Sequence, residues 1–172
     1  CSGGFAEQAR RQARGQGLRS ETIRADGWFA ADNMGTAGIT WLLRAVAFEA
    51  CRVLPAGASL IVFTDWRQVP NLEPAIESAG LRWSNMIAWD KGHAGLGTGF
   101  RARHELALQF TNGPGVYYSQ DHGNVIPCPR VPSDEREHQA EKPVELIRAL
   151  IRTVCPPGGL VVDPVCGSGA IG

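Results

Sequence analysis

The stretch of the sequence most suited to chemistry is a glycine-rich turn behind an apolar run, GLVVDPVCGSGAIG at residues 159–172. Where a strand of an α/β sheet runs into a helix, a ligand can bind at the carboxyl end of the strand, and glycines let the backbone approach it closely. Gly167 and Gly169 meet this requirement, and together with Gly172 they have the spacing G-x-G-x-x-G. The turn therefore predicts a site for a nucleotide-like ligand.

The spacing of these glycines leaves more than one interpretation open. An NAD-dependent oxidoreductase has the same G-x-G-x-x-G pattern, but it needs an acidic residue about twenty positions further on. A phosphate-binding P-loop is disfavoured because no lysine follows the second glycine. A tight turn between strand and helix, without any ligand, is the simplest alternative. The residues before the turn are needed to choose among them.

Those residues contain a second motif that is coupled to the turn. The segment HQAEKPVELIRALIRTVCPPGGLVVDPVCGSGAIG, residues 138–172, resembles the cofactor-binding segment of the amino-methylating DNA methyltransferases. These enzymes use S-adenosylmethionine to methylate adenine N6 or cytosine N4. In that family a His-x-x-x-Lys-Pro stretch opens a helix, and the next strand ends in Asp-Pro-Phe-x-Gly-Ser-Gly. The chain matches both motifs, with Val165 in place of the phenylalanine.

The resemblance also implies which residues bind S-adenosylmethionine. The turn and the start of the preceding helix would hold the methionine end of the cofactor. The residues implied are Asp163, Pro164, Cys166, Gly167, Gly169, Lys142, Pro143 and His138. For His138, a role as a helix cap or a surface histidine is an equal alternative.

The fold class implied by the resemblance is α/β, with the Rossmann-like sheet of S-adenosylmethionine-dependent methyltransferases. The segments LIVFTDWRQVP, AWDKG and FRARHELALQFTNG are similar to strand ends and linking segments of the catalytic half in phage-type members. The implied order is the circularly permuted (beta) one, in which the catalytic half precedes the cofactor half. A single domain over residues 1–172 would then comprise a catalytic half at 1–113, a loop or short target-recognition region at 114–136, and a cofactor-binding segment at 137–172.

The catalytic residues of such an enzyme have no number in this sequence. The tetrapeptide Asp-Pro-Pro-Tyr of the family occurs nowhere, and the opening CSGGF is similar to the small segment that follows it. The resemblance therefore places the tetrapeptide immediately before Cys1 and implies a chain truncated at both ends. Asp65 and Trp66, which follow a predicted strand, are candidate accessory residues, with a helix N-cap and core packing as their structural alternatives. Cys1 does not fit the sequence around the nucleophile of cytosine-C5 methyltransferases.

A basic, glycine-rich stretch, KGHAGLGTGFRARHE, predicts contact with the phosphates of double-stranded DNA. The candidate DNA-binding residues are Lys91, Arg101 and Arg103, with Arg130 in a later loop. A mobile surface loop is the alternative. No metal is expected, because methyl transfer from a sulfonium to an amine is an in-line displacement that depends on positioning and on polarising the amine.

Several elements must position these residues. Apolar residues at helical spacing predict a helix over Ile39–Val53, and NLEPAIESAG predicts a short helix ending at Gly80. SLIVFTD is predicted to be a central strand buried on both faces of a parallel sheet, joined by a βαβ crossover to a strand from Arg82. Further strands are predicted at HELALQFTNG and LVVD, and a helix at KPVELIRALIRTV with Pro143 in its first turn. Residues 114–136 are predicted to form a long loop.

The composition sets limits on the class of protein. Lys plus Arg and Asp plus Glu number 17 each among 172 residues, so the net charge favours neither a nucleic-acid binder nor a membrane binder. The five cysteines contain no CxxC pair, which disfavours both a disulfide framework and a zinc site. No apolar run reaches the roughly 18 residues of a membrane span. A cytoplasmic protein, encoded by a bacterium or a phage, is expected.

The predicted function is site-specific DNA methylation at an exocyclic base amine, with adenine N6 preferred to cytosine N4 and a restriction-modification context expected. The alternatives are an RNA or protein methyltransferase, a non-catalytic nucleotide- or DNA-binding fragment, and an NAD-dependent oxidoreductase. The Lys-Pro helix before the turn disfavours the oxidoreductase. The oligomeric state is open, and a homodimer is one option.

Overall fold

The structure is a computed structural model that describes residues 34–132 and 141–166. Numbered along the chain, its elements are α1 Thr36–Val53, β1 Ser59–Thr64, α2 Val69–Glu77, β2 Arg82–Asp90, β3 His104–Thr111, β4 Val125–Pro127 and α3 Val144–Val154. None of the helices in the two described ranges has both the length and the apolar content of a membrane span.

The predicted amphipathic helix is confirmed as α1. The last hydrogen bond of the helix is donated by the backbone N–H of Leu54 to the carbonyl oxygen of Ala50, at 2.8 Å. The helix ends there because the next residue, Pro55, has no N–H to donate. The chain then turns at Gly57, where φ is 83°, and enters β1. The helix α2 is also confirmed, although it spans Val69–Glu77 and so begins two residues before the predicted segment.

The four described strands form one mixed sheet in the order β1-β3-β2-β4. β3 is antiparallel to both β1 and β2, and β4 is parallel to β2. β1 and β2 therefore run in the same direction, which agrees with the predicted crossover through α2. The two strands are not neighbours, however, because β3 lies between them.

The prediction that SLIVFTD is a central strand buried on both faces of a parallel sheet is wrong. Within the described residues β1 pairs only with β3, in the antiparallel sense, and all six of its residues are half-buried. The strand buried on both faces is β3, where every residue from 106 to 111 is buried. An apolar run without alternation indicates burial, but it does not reveal the direction or the number of the neighbouring strands.

Three further predictions need correction. LVVD does not form a strand, and Leu160 and Val162 are mostly exposed, because no described strand pairs with this segment. Pro143 precedes α3 as its N-cap residue and is not in its first turn. The predicted long loop contains the short strand β4, which a three-residue apolar run is too brief to reveal.

Two apolar clusters cover the opposite faces of the sheet. Alternate residues of β3 point to opposite sides, so that Ala107 joins one cluster, while Leu108 and Phe110 join the other. The first cluster packs α3 against the sheet through Leu146 and Leu150. The second packs α1 and α2 against the other face. The described chain is thus an α/β arrangement with helices on both faces of a mixed sheet.

Candidate functional site

The carboxyl ends of the parallel strands β1 and β2 lie at one edge of the sheet, and charged and aromatic side chains gather there. Phe63 lies near the end of β1, and Trp89 near the end of β2. Because β3 is antiparallel to both, its first residues, including Glu105, lie at the same edge. In open α/β sheets this edge is where ligands bind.

Glu105 lies between two lysines at this edge. Its Oε1 accepts a hydrogen bond from Lys91 Nζ at 2.5 Å, and its Oε2 lies 3.1 Å from Lys142 Nζ. Lys91 follows β2 and Lys142 precedes α3, so the carboxylate joins two segments that are distant in the chain. These are the two lysines of the whole sequence. We call Glu105, Lys91 and Lys142 the lysine cluster.

Two aromatic rings lie next to the ammonium groups of the lysine cluster. Lys91 Nζ lies 4.9 Å from the centroid of the Trp89 ring, and Lys142 Nζ lies 5.3 Å from the centroid of Phe63. Trp89 is only 2% exposed, and its Nε1 donates a hydrogen bond to the carbonyl oxygen of Cys128 at 2.7 Å. This hydrogen bond fixes the buried indole. Lys142 Nζ also lies 5.8 Å from the Trp89 ring centroid, so the indole attracts both ammonium groups by cation–π interaction.

The protonation state of Glu105 follows from its surroundings. Partial burial alone would raise the pKa of this carboxyl, but the charges and hydrogen bonds of Lys142 and Lys91 outweigh it, so that the pKa is lowered. Glu105 is therefore ionised at neutral pH. The cluster contains two lysines and one carboxylate, a composition that suits an anionic ligand group.

A second ion pair closes the loop that follows β2. The guanidinium of Arg103 donates two hydrogen bonds to the carboxylate of Asp90, each of 2.6 Å. These bonds, together with the N–H of Gly92, lower the pKa of Asp90 to about 2. Two of the four predicted DNA-binding residues, Lys91 and Arg103, thus have acidic partners at the base of this loop. Arg101 and Arg130 are exposed.

The predicted cofactor turn is described only as far as Cys166. The Oδ1 of Asp163 accepts a hydrogen bond from the N–H of Val165 at 3.0 Å, which closes a local turn of the type that Asp favours. Asp163 is half-buried, while Pro164 and Cys166 are exposed. Gly167, Gly169 and His138 lie outside the described residues.

Asp65 and Trp66 form the turn after β1, close to Phe63 in the chain. The Oδ1 of Asp65 accepts a hydrogen bond from the N–H of Arg67 at 2.7 Å. The N-cap of α2 is Gln68, so the alternative that Asp65 caps that helix is wrong. Trp66 is 61% exposed, with the guanidinium of Arg67 centred 5.1 Å from its ring centroid, so it does not pack in the core.

Sequence reasoning missed Glu105, although one feature of the sequence points to it. A glutamate directly before the apolar residues 106–108 of a strand is unusual, because a carboxylate is rarely buried unless it is paired. What the sequence does not reveal is that β3 runs antiparallel between β1 and β2. That placement brings Glu105 to the edge where both lysines lie.

Comparison with solved structures identifies the class of fold. The chain is similar to the crystal structure of the M1.HpyAVI–SAM complex, with a TM-score of 0.64 and 16% identity over 74% of this chain and 67% of that one. It is also similar to the crystal structure of M1.HpyAVI, with a TM-score of 0.60 and 17% identity over 75% of this chain and 65% of that one. At these identities the likeness shows the fold alone, which is the α/β fold of M1.HpyAVI.

Sequence comparison then shows the family. A family model described as DNA methylase, of the N6/N4 type, matches residues 23–172, and the chain belongs to this family. A curated relative is a putative methylase, YubD, of Escherichia coli (strain K12). The two are 28% identical over 122 residues, which is 71% of this chain and 53% of the relative. The chain thus spans about half the length of that relative.

Proposed function

We propose that this protein transfers a methyl group from S-adenosylmethionine to an exocyclic amine of double-stranded DNA, with adenine N6 preferred to cytosine N4. The observation that carries the proposal is the position of Lys142 within a DNA methylase. Lys142 belongs to the His-x-x-x-Lys-Pro motif, and its ammonium lies at the sheet edge where the strands β1 and β2 end. The motif that we propose binds the cofactor thus lies at the edge where open α/β sheets bind ligands.

The described residues fit S-adenosylmethionine. Its α-carboxylate is complementary to the lysines of the lysine cluster, and its ammonium or hydroxyl groups are complementary to the carboxylate of Asp163. Pro164, Cys166 and the exposed side chain of Val165 offer a small, apolar surface beside that carboxylate. We propose that Lys142, Pro143 and the turn from Asp163 to Gly169 hold the cofactor, with His138 at the start of the same segment.

When bound, the cofactor supplies an electrophilic methyl group on a sulfonium. The chain's own residues would then bind and orient the two reactants, because this displacement is accelerated mainly by positioning. Trp66 presents an exposed ring beside the end of β1, which suits stacking against an extruded base. The hydrogen bond from the Arg67 N–H holds Asp65 next to it as an accessory acceptor.

The domain division follows from the same proposal. The catalytic half would span 1–113, the loop or target-recognition region 114–136, and the cofactor-binding segment 137–172, all within one domain in the permuted order. The exposed Arg101 and Arg130 would contact DNA phosphates. Lys91 and Arg103, which are held by Glu105 and Asp90, would act mainly by shaping the loop between them. A cytoplasmic role in restriction-modification fits such a substrate.

The test is methyl transfer from labelled S-adenosylmethionine to unmethylated duplex DNA by the full-length protein, followed by digestion to nucleosides. Label in N6-methyladenine is the expected result, and label in N4-methylcytosine would correct the base. In parallel reactions that offer RNA or protein instead of DNA, label in either of these, with none in DNA, would overturn the choice of acceptor. Cofactor binding without any transfer would favour a binding role.

A matched pair of variants tests the cofactor site. Asp163→Asn removes a charge from the proposed site, and Asp121→Asn removes one from a different local turn, where Asp121 accepts a hydrogen bond from Ser119. Asp163→Asn is expected to weaken S-adenosylmethionine binding by about tenfold or more, because a charge-assisted contact is lost. Equal affinity of the two variants in calorimetry would contradict the assignment.

A further inference from the structure

The loop between β2 and β3, residues 91–103, has a base that is held in place. The N–H of Lys91 donates to the carbonyl oxygen of Arg103 at 3.0 Å, and the Asp90–Arg103 ion pair closes the same end. Further out, the N–H of Gly95 donates to the carbonyl oxygen of Ala102 at 2.8 Å. The loop therefore projects from the sheet edge on a defined stem.

The tip of this loop presents apolar side chains to solvent. Phe100 is fully exposed, and Leu96 is 79% exposed. Gly97 and Gly99 have φ values of 134° and 69°, which residues with side chains rarely adopt, so the backbone here bends in a way that glycine permits. The transfer of an exposed phenyl ring from water into an apolar environment lowers the free energy. The tip is thus suited to insertion into a partner.

The charge of the loop indicates the chemistry of that partner. Residues 91–103 contain Lys91, His93, Arg101 and Arg103 and no acidic residue. Lys91 and Arg103 pair with Glu105 and Asp90 at the base of the loop, so the positive charge near the tip is that of Arg101. Arg101, which follows Phe100 directly, is exposed. A partner that is anionic outside and offers flat apolar surfaces inside matches this arrangement, and duplex DNA has both features.

We infer that Phe100 is a wedge that enters the base stack of duplex DNA, while Arg101 contacts the adjacent phosphate. Apolar side chains that insert between base steps open the duplex and help a base to leave the stack. A stem closed by the Asp90–Arg103 pair would hold the wedge at the sheet edge that carries the lysine cluster. The inference rests on the proposed function, because it takes DNA as the acceptor.

The first experiment compares Phe100→Ala with Phe48→Ala, which removes another exposed phenyl ring, on α1. The probe is a duplex with 2-aminopurine beside the target adenine, whose emission rises when the base unstacks. Phe100→Ala is expected to lose this rise and to bind the duplex about tenfold more weakly. Phe48→Ala should behave like the wild type. Equal emission and affinity for Phe100→Ala and the wild type would overturn the inference.

A second measurement separates a wedge from a residue that only supports the loop. A duplex with a mismatch at the target is already partly unstacked, so it should restore most of the binding that Phe100→Ala loses. Arg101→Ala should instead lower the salt dependence of binding by about one unit of slope, on matched and mismatched duplexes alike. A defect of Phe100→Ala that is the same on both duplexes would contradict the wedge.

The outcomes also distinguish this inference from the proposed function. If the wild type methylates duplex DNA and Phe100→Ala does so with unchanged KM for DNA, only the inference fails. If the wild type binds S-adenosylmethionine but neither binds nor methylates duplex DNA, the proposed function fails and the inference fails with it. If the protein binds vesicles of anionic lipid but not duplex DNA, the proposed function and the inference also both fail.

Discussion

The four-stranded sheet and the segment after α3 are both rich in apolar residues, but only the sheet buries them. Leu108 and Phe110 in β3 are fully buried, whereas Leu160 and Val165 are 87% and 85% exposed. Both regions have sequences that predict strands. The difference is that β3 has a hydrogen-bonded neighbour on each side, and the run at 160–163 has no described strand beside it.

The two regions also differ in the contacts that hold them in place. The sheet is held by pairing and packing between residues that are far apart in the chain. The Asp163 turn is held by a hydrogen bond between residues two positions apart. We therefore expect substitutions in the sheet to lower the free energy of unfolding, and substitutions in the turn to act on ligand binding instead. Three variants test this expectation.

The largest effect on stability is expected from Phe110→Ala. The ring of Phe110 is fully buried in the cluster that joins β3 to α1 and α2, so its removal leaves a cavity. A loss of about 3–5 kcal/mol in the free energy of unfolding is expected, measured by urea denaturation. Phe48→Ala, on the exposed side of α1, should change it by no more than about 0.5 kcal/mol. Similar losses for both variants would show that the cluster is not the core.

An intermediate effect is expected from Glu105→Gln, which leaves two partly buried ammonium groups without their carboxylate. A loss of about 1–3 kcal/mol is expected at neutral pH. Glu49→Gln, which removes an exposed pair with Arg52, is the control and should cost less than about 0.5 kcal/mol. If the control is affected as much as Glu105→Gln, then the cluster contributes no more than a surface ion pair.

The pH dependence gives a second measurement on the same variant. The pKa of Glu105 is lowered in the folded state. Its contribution is therefore fully present above the ordinary pKa of an unfolded glutamate, and it is lost as the pH falls through the lowered value. Melting temperatures of the wild type should drop over this acidic range more steeply than those of Glu105→Gln. Parallel curves would mean that Glu105 has the same pKa in both states.

The smallest effect on stability is expected from Asp163→Asn, the variant that is expected to weaken cofactor binding. Its hydrogen bond is local, so the free energy of unfolding should change by no more than about 0.5 kcal/mol in urea denaturation without ligand. Adding S-adenosylmethionine should raise the melting temperature of the wild type more than that of the variant. A loss above about 2 kcal/mol without ligand would show that the turn is part of the packed structure.

Much of the local structure was predictable, because periodicity records which side chains face the core. The helices at Thr36–Val53 and Val144–Val154 and the strands β2 and β3 lie where the patterns predict them. The family was also accessible, since the Lys142 and Asp163 motifs are short and specific. The role of each motif residue in binding stays a prediction, and Gly167, Gly169 and His138 lie outside the described residues.

The sequence by itself determined the family, the helices, most of the strands and the composition of the basic loop, because each depends on residues close together in the chain. Only the tertiary structure decided that β3 enters between β1 and β2, that LVVD stays unpaired among the described strands, and that Glu105 gathers both lysines. These features depend on contacts between residues that are far apart in the chain. No local pattern of side chains specifies which strand will lie beside another.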